Sequence, residues 1–158
     1  MNIILQTLCC VIKENRILLG FKKKGFGQGN WNGFGGKVKN IEHIEQAAKR
    51  ELFEENGLTA KKLLLVGILE FKFIDKPDEI IKVHIFKCTH FAGELIESDE
   101  MKSQWFPLAD IPYDKMWGDD KYWLPLLLTG KKFEGKFLFD KNNKIKGKNL
   151  QVVANISL

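Results

Sequence analysis

Three glutamates, Glu51, Glu54 and Glu55, stand at i, i+3 and i+4 within the stretch GKVKNIEHIEQAAKRELFEENGL, residues 36–58. On a helix that spacing puts all three carboxylates on one face and close together. Unpaired they repel, so the cluster is costly unless something cationic sits among them, and hard carboxylate oxygens are the ligands that Mg²⁺ or Mn²⁺ prefers. The neighbouring Arg50 is placed to orient them. Divalent ions held by these acids would neutralise a pyrophosphate, lower the pKa of a bound water and direct it in line with phosphorus. The chemistry indicated is hydrolysis of a phosphoanhydride. That reaction needs positioning and charge neutralisation more than a serine or cysteine nucleophile.

The acids require a helix, and the sequence specifies one over Ile44–Asn56. Ile44, Ala47, Ala48 and Leu52 recur at the spacing of a single apolar face, and Gly57 follows as the residue that accepts a left-handed C-terminal turn. Glu42, just before the helix, fits a favourable charge or a capping partner at its N-terminus better than a catalytic role. Ahead of the helix lies KKKGFGQGNWNGFGGK, residues 22–37, whose glycines at 25, 27, 29, 33, 35 and 36 exclude regular structure over most of its length. A plain connector gains nothing from Phe26, Trp31 and Phe34. A loop that approaches a ligand uses glycine for close backbone contact and aromatics for walls.

The flanking segments read as strands. Leu5–Val11 and Arg16–Phe21 form a hairpin about a Glu14-Asn15 turn, with the first strand central; Leu63–Phe73 and Ile80–Cys88 are separated by a Pro77-Asp78 turn. Phe71 and Phe73 share a face and serve core packing or a pocket wall equally well. Gln104–Phe106 is strand-like after the acidic run Glu97, Asp99, Glu100. Residues 115–128 lead through two adjacent aspartates into an apolar helix with Pro125 near its beginning. Lys132–Phe139 and Lys144–Ala154, split by Asn142-Asn143, make a closing hairpin. Strands, one helix, more strands, a second helix and final strands imply an α/β fold, a mixed sheet flanked by two main helices.

The 158 residues suit one domain over 1–158, and no repeat, low-complexity tract or linker interrupts them. A net charge of +5 suits an anionic ligand. The lysines are scattered, however, which speaks against polymeric nucleic acid as a partner. Cys9, Cys10 and Cys88 lie in apolar runs without metal-type spacing and read as reduced and buried, as in a cytoplasmic protein. No run of apolar residues is long enough for a membrane span. A monomer is expected.

The pattern G-x5-E-x7-R-E-U-x-E-E-x-G-U, with U aliphatic, is met at every position between Gly36 and Leu58, and by it the chain resembles the Nudix hydrolases. That resemblance implies an α/β/α sandwich, Mg²⁺ dependence with Mn²⁺ as a substitute, and metal ligation by Gly36, Glu51, Glu54, Glu55 and Glu100, the acids among them being catalytic. Glu100 is otherwise only one more surface acid. The stretches LLGFKKKGFG, WNGFGGKV, ESDEM and MWGDDKYWLPLLL are similar to the branch of the family that hydrolyses oxidised purine nucleoside triphosphates, 8-oxo-dGTP and 2-oxo-dATP, to monophosphate and pyrophosphate. By that resemblance the base is read by Asn32, Asp119 and Asp120 with Trp117 stacking on it. Thr7, Lys22, Phe26, Phe71, Phe73 and Met101 complete the pocket, together with the loop positions Phe34, Gly35, Gly36 and Lys37.

Adjacent buried aspartates do not both ionise cheaply, so one can donate where its neighbour accepts, a device suited to varied purine edges. The same two residues also fit a helix N-cap. Gly118 stands where the branch has proline, and the segment after Gly135 departs from its pattern. Other nucleoside diphosphate derivatives, such as a dinucleoside polyphosphate, a methylated purine triphosphate or an RNA cap, remain open as substrates. A catalytically silent nucleotide-binding domain is the alternative of another class; the intact acids argue against it.

Overall fold

The structure is a computed structural model that describes residues 1–156. Its strands are β1 (Asn2–Lys13), β2 (Arg16–Lys22), β3 (Trp31–Asn32), β4 (Thr59–Phe73), β5 (Lys76–Ala92), β6 (Met101–Pro107), β7 (Lys132–Phe139) and β8 (Ile145–Val153), and its helices are α1 (Ile44–Asn56) and α2 (Asp120–Leu128). The strands form one sheet in the order β3-β2-β1-β5-β4-β7-β8, with β6 against β2. β1 runs parallel to β5, and β4 parallel to β7; the other pairs are antiparallel.

β1 is central, as its composition predicts, because it is apolar on both faces. Its odd residues Cys9 and Val11 pack with Leu18, Phe34, Cys88 and Leu52 of α1. Its even residues Leu8, Cys10 and Ile12 belong to the larger core, with Ile17, Leu69, Ile85, Phe133 and Trp123, Leu124 and Leu127 of α2. One helix therefore covers each face, giving the α/β/α sandwich. The three thiols are free and buried.

α1 has the expected bounds. Gly57 closes it with φ 81°, and its N–H donates to the Phe53 carbonyl at 2.9 Å. The start is secured by His43, whose N–H donates to Gln46 Oε1 at 2.9 Å. The β1–β2 turn sits at Glu14 and Asn15, both with positive φ, which matches the twist of the hairpin.

Two expectations need correction. The β4–β5 turn falls at Ile74-Asp75, not at Pro77-Asp78. Pro77 lies inside β5, ahead of Glu79, where pairing with β1 begins, so its missing N–H costs no ladder bond on that side. Pro125 lies in the interior of α2 and not near its beginning. The glycine-rich loop is irregular over most of its length, as expected, and only Trp31 and Asn32 form a short strand against Phe21 and Gly20. This pins Asn32 to the sheet.

Candidate active site

The glycine-rich loop reaches the acidic helix because two of its residues have no side chain. A Cβ on Gly35 would lie 1.7 Å from the Thr7 carbonyl oxygen, and one on Gly36 would lie 2.7 Å from the Glu51 carboxylate. The loop thus lies flat on β1, where Thr7 N–H donates to the Gly36 carbonyl at 2.9 Å. Gly35 N–H donates to Glu55 Oε1 at 2.8 Å. The Gly36 carbonyl keeps a second lone pair for another partner.

The three acids of α1 do not share one environment. Glu51 and Glu54 turn toward Arg50, whose Nη1 lies 2.8 Å from Glu51 Oε1 and 3.2 Å from Glu54 Oε2. The other edge of the same guanidinium grips Glu42, with Nε–Oε2 at 2.6 Å and Nη2–Oε1 at 3.0 Å, and Nη2 also donates to the Lys37 carbonyl at 3.1 Å. Glu42 also accepts from Lys39 N–H at 2.9 Å. The Arg50 hydrogen bonds hold the Glu42 carboxyl down at about 2. Glu42 is structural, as expected, but through a fork with Arg50 instead of a helix cap.

Glu55 is buried and points the other way, into the cavity. Burial first, and then the charge of Glu51 and that of Glu100, push its carboxyl up to about 8, against the hydrogen bond from Gly35 and the nearby Lys22 ammonium. Glu100 itself is exposed, and its loop is tied to the β2–β3 loop: Lys23 N–H donates to the Glu100 carbonyl at 2.7 Å, and Lys23 Nζ lies 2.5 Å from Glu97 Oε2. Among the described residues, no group of three acids, histidines or cysteines is gathered tightly enough to hold one ion. Yet this buried carboxyl faces two like charges that the nearby Lys22 ammonium only partly offsets, and the donors around it are all hard oxygens. The residues present therefore fit a divalent cation.

Beside Glu55 opens a cavity of about 210 Å³. Of the residues expected to bind substrate, Thr7, Lys22, Phe26, Asn32, Gly35, Phe71, Phe73, Met101, Trp117, Asp119 and Asp120 all line it. Its aromatic wall is continuous: Phe26 and Trp117 have centroids 5.1 Å apart, Phe73 and Phe139 5.4 Å, and Trp117 and Phe139 5.8 Å. Gly25 and Gly27, both with positive φ, flank Phe26, which is 68% exposed at the rim. Phe71 and Phe73 serve both expected roles, since they line the cavity while packing on the core.

Three expected positions lie elsewhere. Phe34 is fully buried in the cluster beneath α1, Gly36 faces Glu51, and Lys37 is bridged to Gln6 across β1 and held through its carbonyl. The phase of the loop against β1 decides this: Phe34 pairs with Cys9, whose side chain faces α1. Conversely, Gln6, Leu8, Ile81, Val83, Trp123 and Phe139 line the cavity unanticipated. For Trp123 a signal existed, because it stands one helical turn after Asp119.

Asp119 occupies the N-cap position of α2, but its side chain does not cap. Asp119 Oδ2 instead accepts from Trp123 Nε1 at 2.7 Å. Burial raises the pKa of both aspartates, that of Asp120 furthest, with the Asp119 charge adding to it.

The NUDIX domain model matches residues 4–127. The chain is 51% identical over 141 residues to the oxidized purine nucleoside triphosphate hydrolase of Danio rerio, covering 89% of this chain and 90% of that protein. It is 50% identical over 149 residues to the mouse protein of the same name, covering 94% and 95%. Among solved structures, the MutT protein from Bacillus halodurans superposes with a TM-score of 0.83 at 27% identity, covering 93% of this chain and 97% of that one.

Proposed function

From the premise that the chain belongs to the Nudix family of hydrolases, we propose that it hydrolyses oxidised purine nucleoside triphosphates, 8-oxo-dGTP and 2-oxo-dATP, to the monophosphate and pyrophosphate in a Mg²⁺-dependent reaction. The observation that carries the reading is one continuous cavity: Glu55 lines the same space as Asn32, Trp117, Asp119 and Asp120. A base between the aromatic wall and the aspartates then directs its phosphates toward the acidic helix. The names of the fish and mouse relatives support the substrate class.

In this reading Glu51, Glu54, Glu55, Glu100 and the Gly36 carbonyl hold the metal. When bound, Mg²⁺ supplies charge neutralisation for the phosphoanhydride and acidifies a coordinated water. Arg50 keeps Glu51 and Glu54 in place, and the Gly35 N–H orients Glu55. Lys22, at the cavity wall, is positioned to meet a phosphate. Trp117 gives a stacking surface worth about 1–3 kcal/mol per base. The carboxyls of Asp119 and Asp120 read the base edge, and the amide of Asn32 anchors it. We take residues 1–158 as one domain, active as a monomer in the cytoplasm, where its three thiols stay reduced. No helix among the described residues is long and apolar enough to cross a membrane.

The test is pyrophosphate release from 8-oxo-dGTP, 2-oxo-dATP and dGTP with Mg²⁺. Turnover of the oxidised purines well above dGTP is expected. No turnover of any triphosphate would sink the reading.

A further inference from the structure

Residues 93–100, between β5 and β6, carry no regular secondary structure and, Ser98 apart, are exposed, so little burial holds them in place. Main-chain contacts anchor the segment at its two ends. At one, Ile96 N–H donates to the Asn56 carbonyl at the end of α1 at 2.9 Å. At the other, Ser98 makes a turn into β6: its N–H donates to the Met101 carbonyl at 3.0 Å, and its Oγ accepts from Met101 N–H at 3.0 Å. The remaining hold comes from the opposite loop. β2 pairs with β6 as far as Lys22 and Met101, and Lys23 adds one more rung, its N–H donating to the Glu100 carbonyl at 2.7 Å. Its side chain then crosses to Glu97, with Nζ 2.5 Å from Oε2. Lys23 thus clasps the Ser98 turn from both sides. Because it takes the main-chain carbonyl of Glu100, it leaves the carboxylate for another partner. Three residues on, Phe26 sits between Gly25 and Gly27, both with positive φ, with its ring 5.1 Å from that of Trp117 at the cavity rim. Gly29 N–H donates back to the Lys22 carbonyl at 2.9 Å and closes the loop on its own root. A shift of Phe26 is therefore passed to Lys23 across three residues of a closed loop.

We propose that Lys23 is a positioning residue that couples the two ends of the cavity: a base seated against Phe26 holds the loop, and the loop, through the Lys23–Glu97 bond, holds Glu100 where the metal binds. This rests on the reading of the cavity as a purine site and of Glu100 as a metal ligand. The bond does not hold the fold together. The Lys23 and Glu97 side chains are 32% and 52% exposed, and an ion pair in that setting contributes little to stability. What it restricts is the position of an exposed segment that opens easily without it. Coupling of this kind is reciprocal, so a metal at Glu100 tightens the hold on the base by the same factor as the base tightens the hold on the metal. Charge alone has a different consequence. As a cation close to the metal site Lys23 weakens metal binding, whereas the charge of Glu97 strengthens it.

The probes are Mn²⁺ and the nucleoside 8-oxo-2′-deoxyguanosine, which has no phosphate with which to touch a metal. Each is titrated calorimetrically into the protein, alone and with the other saturating. In the native chain each is expected to bind about threefold to fivefold more tightly in the presence of the other, the factor that one half-exposed ion pair supplies. K23M keeps the aliphatic stem and loses the ammonium, and E97Q breaks the same bond from the other side. Both are expected to melt within about 2 °C of the native protein and to lose the coupling, and the double variant to lose no more than either. The two substitutions change the local charge in opposite directions, so a shared loss does not come from charge alone. Coupling kept in K23M, or opposite changes in the two variants, overturns the proposal. Limited proteolysis of the free protein adds an arm without ligand. A glutamate-specific protease is expected to cut within residues 94–100 several-fold faster in K23M than in the native chain, and equal rates overturn the proposal. If the native chain turns over 8-oxo-dGTP but shows no coupling, the proposal fails alone. If it binds no nucleoside and turns over no triphosphate, the functional reading fails and the coupling with it.

Discussion

The backbone N–H of Gly35 donates to Glu55 Oε1 at 2.8 Å, while the Cα of the same glycine sits so near the Thr7 carbonyl that a Cβ there would lie 1.7 Å from it. Central strand, glycine loop and acidic helix thus meet at one residue. Glu55 is aimed by β1 through the loop, and not by α1 alone.

G35A tests this contact. A methyl group at that distance from backbone requires the loop to lift off β1, so the variant is expected to lose about 3 kcal/mol of stability and, with it, the placement of Glu55. Thermal melting and turnover check both. A melting temperature unchanged from the native protein would show that the loop is free of β1.

E55Q separates chemistry from fold. Turnover is expected to drop by orders of magnitude with nucleotide binding largely retained, because the change removes charge without volume. Stability should respond with a defined sign. The Glu55 carboxyl is pushed up to about 8, by burial and then by Glu51 and Glu100. A carboxyl whose folded pKa exceeds its unfolded value of about 4.3 contributes stability that is whole below the unfolded value and lost as pH climbs through the folded one. In chelator, E55Q should therefore gain on the native protein by a few degrees in Tm between pH 5 and pH 9. A gap that shrinks over that range contradicts the burial account.

R50A removes the one guanidinium on which Glu42, Glu51 and Glu54 converge. Arg50 and Glu42 are partly screened by solvent, so the expected result is a clear loss of stability that is smaller than for a fully buried pair. R50K should recover little, since an ammonium does not reproduce the forked contact. Denaturant melts of the two variants decide; near-native stability of R50K would mean that charge alone suffices.

N32A should weaken binding of every purine nucleotide by about 1–3 kcal/mol, the penalty for an unpaired partner at a buried contact. Calorimetric titration with monophosphate product measures it. Unchanged affinity would place the base elsewhere.

G118A probes the loop that carries the aspartates. A Cβ at Gly118 would meet the Ile145 side chain at ordinary distances, Cδ1 at 3.7 Å and Cγ1 at 3.9 Å. The substitution should be neutral or stabilise by about 0.4–1 kcal/mol through the unfolded chain. A loss above about 1 kcal/mol would show that the glycine is required.

The sequence by itself determined the reaction class and the frame. The bounds of α1, the hairpins at Glu14-Asn15 and Asn142-Asn143, and the centrality of β1 all follow from local rules of periodicity, capping and turn chemistry, which act over a few residues. Most of the cavity lining was legible through family resemblance. What tertiary structure decided is everything that depends on phase between distant segments. Phe34 went beneath α1 because the loop registers against Cys9, and the turn before β5 moved off Pro77 because pairing with β1 begins only at Glu79. The three glutamates, equivalent by spacing, were divided by Arg50 on one side and Gly35 on the other. Asp119 was turned from a cap to a partner of Trp123. Spacing along a helix says which side chains are neighbours. Which of them is charged, buried or aimed at a ligand depends on what the rest of the chain brings against that face.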